Sequence, residues 1–539
     1  MLPSDKNPLT IPIFAAQKII ADLSSGLYRS PAAALKELIA NAYDADAEKV
    51  VVTTDPPHFQ VIVVRDTGSG MSFEKFVEVM QHIGGSRKRI LYGDVTPKGR
   101  QMIGRIGIGL LAIAQLGFRF YVSSSVEGDP TRFVAEVNLT PFHKDDAALH
   151  SKGLLDDSDK VEIGSLTLIR DIPEERNAHY TVITIPDVKK GIISEISGAV
   201  KKIIGVPEKL SIASKRIDKF EELVEVVRSS KRAYTALDGY YYMLWELALL
   251  CPVNYLDNGP FDTSRQTIEH VDSIQLPHIQ SFKVIVDGIE IRRPQLFPTS
   301  RTEPRPDPII YPLNFDHQIA GRRLRFSGYI YSQQAQIEPD ELKGLHIRIR
   351  NVGVGRYDKS WLGYPFDEDV HFGQISGEIY VEDGLESALN IDRDSFIETH
   401  VHYLAMRAYI WSILRNKILP NLILFENKLP KIEVPRPALP KSYIDNEATV
   451  IETKDNKEQY LERLLEKIEL ELNNLPSSFR LNDKDKSTFV NQIKMFMTDI
   501  PSGYMLTGEV REFQENNYPK LTSRLISDGI TVNGFRVGS

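Results

Sequence analysis

Between residues 30 and 110 three short segments follow one another: a helix with two carboxylates and an amide on one face, an aspartate at a strand end before two glycines, and a further glycine cluster before a second helix. No other feature constrains the fold as strongly. Arg29 to Asp46 reads as a helix, with Ser30 as N-cap, Pro31 in the first turn, and Leu35, Leu38, Ile39 and Ala42 at core spacing. Glu37, Asn41 and Asp44 then fall within an arc of roughly 60° on the other face, by 3.6-residue geometry. A carboxylate and a carboxamide one turn apart suit a base and a metal ligand. A solvated polar face would carry the same residues.

Two β-rich runs follow, Lys49 to Thr54 and Phe59 to Arg65, joined by a turn at Asp55-Pro56-Pro57, and the second delivers Asp66 to a strand end. A carboxylate there can accept a hydrogen bond from the exocyclic amine of adenine. Gly68 and Gly70 allow a backbone to approach a flat base and to adopt positive φ. Gly104, Gly107 and Gly109 precede a small-to-apolar helix, Leu110 to Leu116, so their amides can surround phosphate oxygens at a helix N-terminus. A glycine-rich turn before a helix is common on its own. The three segments in this order point to a nucleotide site.

On these residues the chain resembles the GHKL superfamily of ATPases, built on the Bergerat fold: gyrase B, the ninety-kilodalton heat-shock chaperone with its bacterial form HtpG, histidine kinases, MutL and MORC proteins. Gly26-Leu-Tyr28-Arg-Ser-Pro31 leading into Leu35-Lys-Glu37-Leu-Ile-Ala-Asn41-Ala-Tyr-Asp44-Ala looks most like the chaperone branch, and Ile103-Gly104-Arg105-Ile106-Gly107-Ile108-Gly109 is similar to both chaperone and MORC forms. The resemblance implies ATP and Mg²⁺ as cofactors and a slow ATPase activity. It makes Glu37 the general base, Asn41 the Mg²⁺ ligand, Asp66 the reader of adenine and Asp44 a support one turn further on. Gly68, Gly70 and Met71 would line the base, and residues 104–109 the phosphates. The segment from about Gly84 to Gly104 would be a lid, with Ser86, Arg87, Lys88 and Lys98 near phosphate. Thr181-Val-Ile183 resembles the family's last nucleotide-side strand, where a threonine meets the adenine network.

A second motif lies far along the chain. Ser376-Gly-Glu-Ile-Tyr-Val-Glu-Asp383-Gly-Leu385-Glu-Ser-Ala-Leu389-Asn390-Ile-Asp-Arg393-Asp looks like the chaperone family's middle-domain signature, a strand followed by an Asn-x-x-Arg turn. In that family the arginine crosses to the ATP γ-phosphate. Arg393 would thus be a cis-acting arginine finger, a planar cation suited to bridging phosphate oxygens. Pairing of Arg393 with Asp392 or Asp394 is the alternative.

At 539 residues the chain has room for about three domains. The resemblance and the element pattern together give an α+β multidomain class: a Bergerat-fold α/β sandwich over 1–188, a helical segment plus α+β transducer-like middle domain over 189–427, a proline-rich linker at 428–442 and a small helical domain over 443–539. No apolar run reaches the roughly 18 residues of a membrane span and the N-terminus lacks a signal-peptide core, which places the protein in the cytoplasm, away from membrane. The single cysteine, Cys251, sits in the apolar run Met243 to Val253 and reads as buried packing.

A formal net charge of −8 argues against a chain that mainly coats nucleic acid, but leaves room for a local basic channel. Arg322-Arg323-Leu-Arg325 and His346-Ile-Arg348-Ile-Arg350 are the segments for it, the second placing His346, Arg348 and Arg350 on one strand face. A half-exposed sheet would look the same. In the tail, Leu461, Leu464, Leu465, Ile468, Leu472 and Leu475 follow helical spacing, for packing within a small domain or for docking a partner. Two functions survive: an HtpG-like homodimeric switch acting on a protein client, or a MORC- or MutL-like ATP-gated nucleic-acid clamp, such as the ATPase component of a bacterial defence system.

Overall fold

The computed structural model describes residues 9–16, 30–81, 95–100, 102, 112–139, 160–256 and 259–422, the last with short breaks at 264–267, 275, 277–281, 297–306, 367–368 and 391–392. Two compact units divide the chain: 1–315 with 325–396, and 316–324 with 397–539.

The first helix, α1 (Pro31–Asp44), begins where the sequence predicts. Ser30 is extended, and its hydroxyl accepts from the Ala33 amide at 3.3 Å while Pro31 takes the first helical position. Small residues Ala32, Ala33, Ala34 and Ala42 let neighbouring elements approach α1 closely, and Leu35, Leu38 and Ile39 are buried beside them. Asp46 ends the helical turn in the left-handed region, at φ 59°.

The strands β1 (Leu9–Ala16), β2 (Lys49–Thr53), β3 (Ile62–Asp66), β4 (Arg119–Ser125), β5 (Thr131–Leu139), β6 (Lys160–Pro173), β7 (Tyr180–Ile185), β8 (Lys283–Val286) and β9 (Ile289–Ile291) form one sheet in the order β1-β6-β5-β4-β7-β3-β2-β8-β9. Its strands alternate: Val50 and Val52 face the core while Lys49 and Thr53 do not. Helices α2 (Phe73–Gln81) and α3 (Ala112–Leu116) join α1 in one hydrophobic core with this sheet. The sheet draws on chain from beyond residue 188, because β8 pairs in parallel with β2, Val50 opposite Val284 and Val52 opposite Val286. Apolar residues on both strands make that long-range pairing favourable.

From residue 190 the chain is helical: α4 (Lys190–Ile196), α5 (Ala199–Ile203), α6 (Phe220–Arg228), α7 (Ala233–Ala236) and α8 (Gly239–Leu250). Asp238 caps α8 by accepting from the Tyr241 amide at 2.8 Å, and α8 is buried along most of its length. It packs against α1. A second sheet follows, β10 (Ile309–Ile319), β11 (Arg322–Ser332), β12 (Gly344–Ile349), β13 (Val352–Asp358) and β14 (Ile375–Asp383), in the order β10-β11-β14-β12-β13, with the short helix α9 (Asp369–Phe372) before β14. β12 runs parallel to β14. Both sheets belong to the first unit apart from residues 316–324 at the β10–β11 turn.

In the second unit α10 (Val401–Ile413) continues into a π-helical turn, Leu414–Ile418, and the buried His402 ring bonds to the Ile319 carbonyl at 3.1 Å. No helix of the described residues is long and apolar enough to cross a membrane. The linker at 428–442 and the amphipathic tail helices lie outside the described residues.

Candidate functional site

The turn after β3 is built around Asp66. Its register places it opposite Val50 on β2 and Thr181 on β7, so the carboxylate emerges from the middle of the sheet and is 8% exposed. Burial raises its pKa to about 6, against the opposing pull of the Gly68 and Thr181 amides. The Gly68 amide donates to Asp66 Oδ1 at 2.8 Å and the Ser69 amide to the Ala45 carbonyl at 2.8 Å. That second bond fastens the turn to the end of α1. At Gly70, φ is 70° and an added Cβ would lie 1.8 Å from the Ser125 carbonyl oxygen, so only glycine fits.

Three residues that sequence reasoning missed or placed only loosely hold this turn. Ser124 Oγ accepts from the Met71 amide at 2.8 Å, donates to the Tyr180 carbonyl at 2.8 Å, and lies 3.1 Å from Thr181 Oγ1. His179 Nδ1 bonds to the Gly68 carbonyl at 2.8 Å. Thr181 thus sits beside Asp66 and joins Met71 through Ser124. The signal for Ser124 was present in the strand Arg119-Phe-Tyr-Val-Ser-Ser-Ser125, where strict alternation turns a serine inward among Phe120 and Val122.

On α1 the three polar positions separate by environment. Glu37 is 1% exposed, Asp44 is half-buried and Asn41 is exposed. Glu37 Oε2 accepts from Arg393 Nη1 at 3.0 Å. Next to it, the fully buried Lys36 Nζ lies 3.5 Å from Glu37 Oε1 and donates to Asp394 Oδ1 at 3.2 Å. Four charges therefore alternate in one buried row: Asp394, Lys36, Glu37, Arg393. Of the two alternative partners expected for Arg393, Asp394 is bonded by Lys36, and Asp392 lies outside the described residues. Around Arg393 and Asp394 the Arg393 amide donates to the Asn390 carbonyl at 3.1 Å and the Asn390 side chain to Ser395 Oγ at 2.9 Å. Arg393 itself has φ 52°.

Among the described residues no group of three or more His, Cys, Asp or Glu is placed to hold a metal. The exposed Asn41 amide suits Mg²⁺ bound chiefly through phosphates and water, which that ion ordinarily requires. The glycine turn at 104–109 and the lid residues Ser86, Arg87 and Lys88 lie outside the described residues. Lys98 is described: its ammonium pairs with Glu48 at 3.0 Å and is half exposed, and its amide donates to Asp46 Oδ2 at 3.0 Å.

The basic strand is not a surface. His346 and Arg348 are fully buried and Arg350 nearly so, which corrects the basic-channel and half-exposed-sheet expectations for this segment, whereas Arg322, Arg323 and Arg325 on β11 are exposed. Arg348 Nε donates to Glu378 Oε2 at 3.0 Å, and the hydroxyls of Tyr255, Tyr357 and Tyr380 donate to the same carboxylate at 2.6, 2.6 and 2.7 Å. Burial pushes the Glu378 pKa up, but the charges of Arg348 and Arg293 overcome it and hold the carboxyl well below its usual range. Burial and the neighbouring Arg348 lower the His346 pKa to about 3, so the ring is neutral. Period-two alternation predicts which residues share a face, and not whether a helix covers that face; here Leu249 at the end of α8 accepts from Arg348 Nη2 at 2.5 Å. Of the other arginines, Arg323 pairs with Asp316 and Arg325 with Glu382. Cys251 is buried, as expected, and desolvation raises its thiol to about 12.

Comparison with known proteins places the region that holds these residues. Residues 28–162 match the family model described as histidine kinase-, DNA gyrase B-, and HSP90-like ATPase. A putative type II restriction enzyme, HgiDII of Herpetosiphon aurantiacus, is 35% identical over 112 residues, a stretch that makes up 21% of this chain and 18% of that relative. Residues 28–162, which take in Glu37, Asn41 and the Asp66 turn, are thus similar to the histidine kinase-, DNA gyrase B-, and HSP90-like ATPases.

Proposed function

We propose that this chain is an ATP-hydrolysing conformational switch in which the middle sheet gates the catalytic base. Asp66 accepts from the adenine amine, Gly68, Gly70 and Met71 border the base, and Thr181 completes that network. Asn41 would hold Mg²⁺, which when bound would neutralise charge on the phosphates. Asp44 supports Asn41 from one turn away. The amides and side chains of residues 104–109 surround phosphate, with Ser86 and Lys98 on the lid side. Glu37 takes a proton from water as the water oxygen attacks the γ-phosphorus and the bond to the β–γ bridging oxygen breaks. Arg393 neutralises the charge that spreads over the transferred group.

The observation that carries this reading is the 3.0 Å contact between Arg393 and Glu37. A base paired with a cation is held back from water; a γ-phosphate offers that cation a competing anion and releases the base. Lys36 remains to orient Glu37 from its other oxygen. Two protomers closing through their N-terminal segments, with a protein client between them, is the HtpG-like form of the switch, and the Asn390–Arg393 turn supports it.

Action on DNA is the second reading, supported by the named restriction-enzyme relative and not by the basic strand, whose arginine and histidine are interior. A mobility-shift assay with a non-hydrolysable ATP analogue across salt concentrations separates the two. ATP-dependent DNA binding with a steep salt slope supports the clamp. Its absence at low salt, in protein that hydrolyses ATP, leaves the client-directed switch. Protein with no ATPase activity above that of Glu37→Ala would remove both.

A further inference from the structure

The strands β3, β7 and β4 lie side by side, and their register sorts side chains onto two faces. Asp66, Thr181 and Ser124 stand in one cross-strand row; Arg65, Val182 and Ser123 stand in the adjacent row, on the opposite face. That opposite face carries a recess of about 640 Å³, floored by these strands and walled by the loop from Glu174 to His179 that leads into β7. Its volume is in the range of small-molecule sites.

Most polar groups of the recess satisfy one another. The Tyr180 hydroxyl donates to Glu174 Oε2 at 2.6 Å and the Glu175 amide to Glu174 Oε1 at 3.1 Å. Arg132 Nε lies 3.4 Å from the same carboxylate, and its Nη1 donates to Ser123 Oγ at 2.8 Å. Glu174 and Arg132 thereby compensate each other. Two opposite charges are left over. The Arg65 guanidinium lies over the Tyr180 ring, 5.1 Å from its centroid, and among the described residues no carboxylate pairs with it. Among the same residues no cation pairs with the Glu175 carboxylate. Both side chains are exposed at the recess, and each can form charge-assisted hydrogen bonds.

The wall of the recess also holds the Asp66 turn. His179 Nδ1 lies 2.8 Å from the Gly68 carbonyl, which can only accept, so Nδ1 carries the proton and Nε2 of the neutral ring is an acceptor. A ligand ammonium donating to Nε2 excludes the other tautomer and so keeps the bond to Gly68 in place. We propose that this recess is a second ligand site, taking a zwitterionic small molecule such as a free amino acid, with its carboxylate on Arg65 and its ammonium between Glu175 and His179, and that His179 couples its occupancy to the turn at Asp66. Tyr180 and Val182 offer apolar surface to the rest of the ligand. The coupling rests on the nucleotide reading above; the site itself does not.

Calorimetry on the full chain tests this, with the common amino acids and glycylglycine as probes and with acetate and methylammonium as single-charge controls. One or more of the probes should bind saturably, and the controls should not. Arg65→Met and Glu175→Gln should each weaken that probe by about tenfold or more, the worth of one hydrogen bond to a charged group. Both should leave ADP within about twofold on the same scale, since the two side chains line the face opposite the Asp66 carboxylate. The probe should tighten ADP, and ADP the probe, by one common factor of about fivefold or more, and His179→Phe should bring that factor to about one. Failure of every probe to bind, or binding that neither substitution weakens, would remove the site. Acetate or methylammonium binding as tightly as the probes would overturn its zwitterionic character, and a probe without effect on ADP would remove the role of His179. A probe that binds to wild-type protein unable to take up ADP would keep the site and overturn the nucleotide reading instead.

Discussion

Arg393 Nη1 lies 3.0 Å from Glu37 Oε2, and neither side chain is more than 10% exposed. A residue 356 positions away in sequence, carried by the turn after β14, has docked on the one carboxylate of α1 that is fully inside the protein. The pair does not stand alone, since Lys36 bridges Glu37 to Asp394 on the same turn.

Removing either member of this pair leaves a buried charge short of its partner, which generally costs about 3–5 kcal/mol. Glu37→Gln is therefore the cleaner variant, because the amide oxygen still accepts from Arg393. It should bind ATP with an affinity near that of the wild type and lose turnover by about 10²-fold or more. Steady-state hydrolysis set beside calorimetric binding checks it; turnover at the wild-type rate would take the base role from Glu37.

Arg393→Ala should lower kcat by about 10³-fold, the lower end for an arginine acting on a transferred phosphoryl group, with much less change in nucleotide affinity. A thermal melt separates this from unfolding. If affinity and kcat fell by the same factor, Arg393 would be a structural partner of Glu37 and nothing more.

Asp66 makes the site sensitive to pH. Its carboxyl ionises near pH 6 in the folded chain, against about 3.8 when unfolded. Below pH 3.8 both states are protonated; as pH rises from 3.8 to 6 the unfolded chain ionises first, so this group's contribution to stability falls through that window, by on the order of 3 kcal/mol. Adenine binding runs the other way, because an ionised carboxylate is the better acceptor. Affinity for ADP should drop as pH is lowered from 7 to 5, and Asp66→Asn should bind weakly without that slope. A flat profile in the wild type would sink the assignment.

Gly70 tolerates no side chain. Gly70→Ala would force a Cβ to 1.8 Å from the Ser125 carbonyl at a φ of 70°. The left-handed penalty alone is about 1–2 kcal/mol, and the clash adds to it by displacing β4 from the turn. Denaturant titration should show a loss above 2 kcal/mol, beyond that penalty, accompanied by weaker adenosine binding.

Arg348→Met should destabilise the protein by about 3–5 kcal/mol, because it strands Glu378 among three tyrosine hydroxyls inside the middle sheet. A nucleic-acid contact would instead change DNA binding at constant stability. Chemical denaturation and a DNA titration on the same variant decide between them.

Much of the nucleotide-side architecture was legible from local pattern. Ser30 and Pro31 start α1 because a side-chain acceptor and a ring without an N–H suit the first turn of any helix, whatever surrounds it. β2 and β3 declare themselves by alternation, and the positive φ at Gly70 is a backbone demand that glycine answers by itself. The middle sheet was less legible. Its strands were visible as runs, but His346 and Arg348 alternate with apolar residues as a surface strand would, and only a covering helix makes that face interior.

Within a turn or a strand, steric and hydrogen-bonding preferences act between residues a few positions apart, so the sequence alone could specify the helix with Glu37 and Asn41 and the Asp66 turn. Charge pairing has no such range limit. Whether Arg393 meets Asp394 or Glu37, whether Arg348 meets solvent or Glu378, and whether Arg350 meets a phosphate or the Met102 carbonyl depend on which segments the fold brings into contact and how far it removes them from water. Tertiary structure decided those partners, because the strength of a charge pair is set by burial and distance, and neither is written in the spacing of residues along the chain.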